Sequence, residues 1–206
     1  FIGGTNLRLV KGIDRFSEDL DFDCKNLDAE DFAEMSQAIL TFLQRSGKRT
    51  ETREKQSEKL TAFCSRIYFP ELLFELGLSA YKEERFLIKI ESQNQEFKYT
   101  PQMATISSCG FFMSFPVPPD DVLCAMKLSA LLSRAKGRDF YDALFLLSQT
   151  KPNYDFLAKK QDIHNLTELK AKLIETIEKI DLQHKSKDFE HLLFNKGNKD
   201  KILMFS

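Results

Sequence analysis

The sequence predicts an α+β protein, with an α/β domain over residues 1–118 followed by a helical bundle over residues 119–206. Three observations carry this reading. "DLDFDC" and "RFLIKIESQ" alternate polar and apolar residues with the period of two that belongs to strands. From Asp120 onward the apolar residues recur at helical spacing instead. Between the two regimes stand Pro116, Pro118 and Pro119, which resist continuing either element.

The elements follow in order. Phe1-Ile2, Gly3-Gly4-Thr5 and "NLRLV" read as strand end, tight turn and short helix, so sequence preceding Phe1 is expected. In "DLDFDC", Asp19, Asp21 and Asp23 share one strand face and Leu20, Phe22 and Cys24 the other. "LDAEDFAEMSQAILTFLQRSG" is an amphipathic helix with Asp28 as N-cap and Gly47 as stop. "KRTETREKQSEK" is charged and aperiodic, a mobile surface loop. "LTAFCSRIYF" and "RFLIKIESQ" are strands, and in the second Lys89 and Glu91 point together, opposite Ile88 and Ile90. "DDVLCAMKLSALLSRA" and "RDFYDALFLLSQ" are helices joined through Lys136-Gly137, "NLTELKAKLIETIEKIDLQ" is a third and "KDFEHLLF" a short fourth.

Composition narrows the class. With 206 residues and 42% hydrophobic content, the chain can bury a substantial core. Lys and Arg number 30 against 31 Asp and Glu, so no global basic field announces nucleic acid. The cysteines at 24, 64, 109 and 124 form no C-x-x-C pair, and all three histidines lie at 164 or later. A zinc site is not expected, and the cysteine usage suits a reducing cytoplasm. No apolar run reaches the ~18 residues of a membrane span.

Two features could carry chemistry. The alternation D-x-D sets Asp19 and Asp21 side by side, the arrangement that suits a hard cation completed by phosphate and water: Mg²⁺ rather than zinc. Glu91, on a strand facing the same way, is a candidate third carboxylate. The plainer alternative is a solvent-facing strand with acids for solubility. Gly3-Gly4-Thr5 offers backbone N–H groups and a hydroxyl to an anion, though a glycine pair is by itself only a turn. An anion cradle followed fourteen residues later by paired carboxylates is the more specific combination. Downstream, Lys127 interrupts the apolar run "VLCAMKLSALL" and must either snorkel or meet a charge. Arg134, Asp139 and Asp142 are suited to Arg–Asp pairing across a helix hairpin.

Taken together, G-G-T, R-F-S-E-D-L-D-F and K-L-x-A-L-x-x-R-x-K-x-R-D-F-Y-D resemble the AbiEii/AbiGii-type toxin nucleotidyltransferases, of the DNA polymerase β-like nucleotidyltransferase superfamily. The resemblance covers residues 1 to about 148 and rests on these spaced blocks. It implies a polymerase β-like nucleotidyltransferase domain with a mixed sheet and flanking helices. It also implies transfer of a nucleoside monophosphate from a nucleoside triphosphate (NTP) to an acceptor hydroxyl, with RNA, at the tRNA 3′ end, as the acceptor class. The setting it implies is a toxin–antitoxin or phage-defence pair, with an antitoxin protein as possible partner. Where the wider superfamily often has G-S, this chain has G-G-T; Thr5 keeps the hydroxyl.

Carried over position by position, the resemblance puts Gly3, Gly4 and Thr5 on the triphosphate and makes Asp19 and Asp21 the Mg²⁺ ligands. It gives Lys127 a contact to the triphosphate and places Asp139 close to the nucleotide. Glu91 follows from strand register alone, as a third ligand or the base for the acceptor hydroxyl. Ser17, Arg15 and Arg8 are further candidates to line the phosphates. Basic residues in the 44–59 segment and at Arg134, Lys136 and Arg138 are candidates to meet RNA. Two other readings stay open: a nucleotide-binding module of the same fold without transfer activity, and a metal-dependent nuclease.

Overall fold

The acidic strand of the computed structural model, which describes residues 1–52, 62–108 and 110–205, lies at one edge of a four-stranded sheet. In chain order the elements are α1 (Gly3–Leu9), β1 (Asp19–Asp23), α2 (Ala29–Arg45), β2 (Glu51–Thr52), β3 (Ala62–Phe69), α3 (Leu72–Glu75), β4 (Phe86–Gln93), β5 (Gln102–Ser108) and β6 (Phe111–Val117). The helices α4 (Asp120–Arg134), α5 (Gly137–Leu147), α6 (Tyr154–Gln161), α7 (Leu166–Glu178) and α8 (Leu182–Asp188) follow, with 3-10 segments at Glu190–Leu192 and Lys196–Phe205. The result is the expected mixed α+β architecture.

The chain divides into two compact units, Glu18–Glu96 and Phe1–Ser17 with Phe97–Ser206. In Glu18–Glu96 the sheet order is β1-β4-β3-β2, with β1 parallel to β4 and the other pairs antiparallel. One face is apolar: Ile67, Phe69 and Ile90 are buried with Leu20, Phe22 and Ile88 against Leu40, Ile39 and Leu43 of α2. Phe32 of α2 stacks on Phe63, with ring centroids 5.2 Å apart. Asp28 caps α2 by accepting from the backbone N–H groups of Glu30 and Asp31, as its position before the periodic run predicts. The alternation of β1 therefore has its ordinary cause: its apolar residues meet α2 and its acids take the opposite face.

The other unit gathers α1, the β5–β6 hairpin and the later helices. Leu7 and Ile13 are buried among residues of α4, α5 and α6, including Leu123, Leu128, Phe140 and Phe156. This burial ties the first seventeen residues to the helices, and the boundary expected near residue 118 falls inside this unit. Pro118 and Pro119 mark the passage from β6 into α4, whereas Pro116, expected to break the strand, lies within β6 level with Met103.

Several local expectations change. Glu51 and Thr52, expected within a loop, pair as β2 with Tyr68 and Ile67; residues 53–59 of that segment, Leu60 and Thr61 before β3, and Cys109, lie outside the described residues. β5 and α6 had no counterpart in the sequence reading, because "QMATISS" and "YDFLAKKQ" are short and polar at many positions. The helix expected to run through "NLTELKAKLIETIEKIDLQ" ends at Glu178, and Asp181 caps α8 by accepting from the His184 N–H. The short helix expected over "KDFEHLLF" is the end of α8 and a single 3-10 turn.

Candidate active site

β1 and β4 bring the acidic residues together. The parallel register sets Asp19 level with Lys89 and Asp21 level with Glu91. Neighbours level in register point to the same side, so Asp19, Asp21, Lys89 and Glu91 share the face opposite α2. β3 adds Cys64, level with Glu91, and Arg66, level with Lys89. Lys89 lies between the acids: its Nζ is 2.8 Å from Glu91 Oε1 and 3.6 Å from Asp19 Oδ2. Burial pulls the Lys89 ammonium down, but its hydrogen bond to Glu91 and the charges of Asp19 and Glu91 outweigh burial and raise it. Burial also raises the Cys64 thiol, with the negative charges of Glu91 and Asp19 adding to it and Arg66 and Lys89 opposing. Asp23, at the end of β1, accepts from the Gln95 N–H at 2.9 Å.

Gly3, Gly4 and Thr5 form the first turn of α1 itself rather than a turn before it. Gly3 has φ +77°, a backbone conformation that glycine adopts without steric cost. At Gly4 the reason for glycine is proximity: a β-carbon there would lie 3.0 Å from Arg15 Nη2 and 3.4 Å from Nη1. Thr5 Oγ1 donates to Ser17 Oγ at 2.9 Å, and Ser17 Cβ is also close to Gly4. The glycine turn, Thr5, Ser17 and Arg15 therefore form one cluster.

Arg15 continues that cluster into the protein. Its Nε and Nη2 donate to the two oxygens of Asp142 at 2.6 and 2.7 Å, while Nη1 donates to the Phe16 carbonyl at 2.7 Å. Lys127 Nζ reaches the same carboxylate at 2.9 Å. Arg15, Asp142 and Lys127 are only 2%, 1% and 8% exposed. Lys127 does meet a charge, and the charge is Asp142. Burial would raise the Asp142 carboxyl, but Lys127 and Arg15 together hold it below the usual carboxylate range. Two buried cations thus share one buried anion beside Gly4.

Asp139 is fully buried and has different partners. Arg134 donates to it through Nε at 2.8 Å and Nη2 at 2.7 Å, and the Lys136 N–H donates at 3.2 Å, which closes the start of α5. The Arg–Asp pair across the α4–α5 junction is therefore Arg134–Asp139, while Asp142, three residues on, faces Arg15 and Lys127. Arg8 lies over the rings of Phe16 and Phe194, its guanidinium carbon 5.0 and 5.7 Å from the centroids.

The structure thus gathers Asp19, Asp21 and Glu91 on one sheet face. It gathers Gly4, Thr5 and Ser17 around Arg15, with Lys127 joined to them through Asp142. Two residues take parts that the sequence did not assign them: Asp142, expected to pair with Arg134, is the shared anion of Arg15 and Lys127, and Lys89 is the cation among the acids. The spacing of Arg15 and Asp142, 127 residues apart, carries no local signal. Lys89 had one, since it shares its strand face with Glu91. Among the described residues no three His, Cys, Asp or Glu side chains converge as a ready-made metal cage.

The family model of the nucleotidyl transferase AbiEii toxin, type IV toxin–antitoxin system, matches residues 1–199. No curated protein matches the chain. Among the described residues no helix is long and apolar enough to cross a membrane.

Proposed function

The chain belongs to the AbiEii nucleotidyl transferase toxin family of type IV toxin–antitoxin systems, and on that premise we propose that it transfers a nucleoside monophosphate from an NTP to a hydroxyl of RNA, with Mg²⁺. The observation that carries this reading is the register of β1 on β4, which lines up Asp19, Asp21 and Glu91 on one face of the sheet.

The donor set fits magnesium. It offers carboxylate oxygens, few in number, and leaves room for phosphate and water, as a cation that keeps several waters requires. The Lys89 ammonium drawn to Glu91 and Asp19 indicates that these carboxylates receive positive charge. Asp19 and Asp21 would hold the metal, with Glu91 as the third carboxylate. Bound there, magnesium supplies an acceptor hydroxyl of lowered pKa and a neutralised pyrophosphate leaving group.

The chain's own residues do the rest. Gly4, Thr5 and Ser17 receive the triphosphate, with backbone N–H groups and hydroxyls as donors. Arg15 and Lys127 bring two positive charges against the single negative charge of Asp142, and a buried excess of positive charge favours an anion next to Gly4. As negative charge builds on the transferring phosphoryl group, these fixed donors stabilise it without reorganising. Asp139 acts at one remove, by holding together the ends of α4 and α5, the helices that carry Lys127 and Asp142. Exposed Arg45 in the last turn of α2 and Lys48 beyond it support RNA as acceptor, since phosphate contacts require accessible cations.

Incubation with Mg²⁺, total RNA and each α-labelled NTP in turn tests the proposal. Label on RNA is the expected result. Shortened RNA would make the protein a nuclease, and bound nucleotide without either product would make it a binding module.

A further inference from the structure

We propose that Lys89 is a resident counter-ion of the acidic face, occupying the place of a divalent cation until the cation displaces it. The inference rests on the reading of Asp19 and Asp21 as metal ligands. It concerns a residue to which that reading gives no role.

The geometry is specific. β4 presents Lys89 and Glu91 two residues apart on one face, and β1 sets Asp19 level with Lys89. The ammonium contacts Glu91 at 2.8 Å and lies 3.6 Å from Asp19, so a single positive charge is shared by carboxylates from two strands. Parallel pairing of β1 with β4 brings carboxylates of both strands to one face, and the Lys89 ammonium offsets the repulsion between Asp19 and Glu91, the two it contacts.

A magnesium ion takes carboxylate oxygens at about 2.0–2.1 Å. An ammonium that stays among the same acids repels it at close range and weakens its hold on Asp19. Metal entry therefore favours Lys89 swinging away, and the cost of breaking its contacts is subtracted from metal affinity. Free divalent cation then binds weakly. A metal–triphosphate complex, which brings further ligands of its own, offsets that cost. Lys89 thereby couples metal occupancy to nucleotide arrival and keeps the face neutralised between turnovers.

The test measures Mn²⁺ binding to the nucleotide-free protein by electron paramagnetic resonance, together with the melting temperature in EDTA. Lys89→Met keeps most of the apolar stem and removes the charge; Lys89→Gln keeps length and polarity if the first variant folds poorly. Either should bind Mn²⁺ on the order of tenfold more tightly than wild type, as loss of a nearby like charge predicts. Either should also melt lower in EDTA and recover more than wild type on adding Mn²⁺. If wild type binds Mn²⁺ in a manner abolished by Asp21→Asn, yet neither Lys89 variant binds more tightly, the displacement idea falls and the metal reading stands. If no protein shows binding that depends on Asp21, both fall together.

Discussion

Arg15 donates through both Nε and Nη2 to the two oxygens of Asp142, a bidentate pair buried at the point where Lys127 reaches the same carboxylate. Such a pair is costly to break from one side, because the partner left behind is a desolvated charge. Asp142→Ala leaves two buried cations without an anion and should destabilise the protein by about 3–5 kcal/mol. Asp142→Asn should cost less, since an amide oxygen still accepts from Arg15. Urea unfolding of both variants measures this, and a loss within error of zero would mean that the buried charges are compensated elsewhere.

Acid should expose the same interaction. The Asp142 carboxyl is held below its ordinary value in the folded protein, whereas in the unfolded chain it titrates near ~3.9. As pH falls through that value the unfolded chain takes up the proton first, so acid favours unfolding. The stabilisation from Asp142 is thus complete above about pH 5 and is lost as pH drops through the unfolded value toward the lower folded one. Melting temperatures of wild type and Asp142→Asn should therefore differ most near neutrality and converge in acid. A gap that stays constant from pH 7 to pH 3 would exclude this linkage.

Gly4→Ala tests the glycine turn. Its new methyl group would press on an Arg15 guanidinium that Asp142 and the Phe16 carbonyl already hold on other sides. The fold should survive with a loss of about 1 kcal/mol, in the range of mild overpacking. Triphosphate binding should weaken by at least ~10-fold, because the methyl group occupies the space in which backbone and guanidinium approach a phosphate. Calorimetric titration with a non-hydrolysable triphosphate reads the change. Unaltered affinity would make the turn merely structural.

Asp21→Asn should abolish transfer while leaving the fold as stable as wild type or slightly more so, because it relieves repulsion between Asp21 and Glu91, which are level in register. In wild type, Mg²⁺ with a triphosphate should raise the melting temperature more than either alone, as ligand linkage requires. In Asp21→Asn that synergy should disappear. Full activity of the variant would remove Asp21 from the metal site.

Lys127→Met separates charge from packing. Transfer should fall by at least ~10²-fold, as loss of an electrostatic contact to a developing charge commonly produces. Stability should fall as well, by about 1–3 kcal/mol, since Asp142 loses a charged hydrogen-bond donor but keeps Arg15. Lys127→Arg should restore only part of the activity, because a planar fork replaces a point charge. Wild-type transfer by Lys127→Met would confine Lys127 to a structural role.

What the sequence determined by itself was local. The period of two in "DLDFD" places Asp19 and Asp21 on one face wherever the strand lies, and the pattern of α2 with Asp28 before it specifies a capped helix with one apolar side. Those signals depend on neighbours within a turn or a pleat. Tertiary structure decided the rest. Level pairing of Asp21 with Glu91 depends on strand register, and a one-residue slip would turn Glu91 to the other side. No local rule couples residues 70 positions apart. Lys89 became the cation among the acids only through that same register. Arg15, Lys127 and Asp142 come from a loop and two helices, and no spacing in the chain joins them. Their meeting follows from burial of Leu7 and Ile13 among the later helices, which brings Arg15 to α4 and α5 and leaves a desolvated guanidinium that needs a carboxylate.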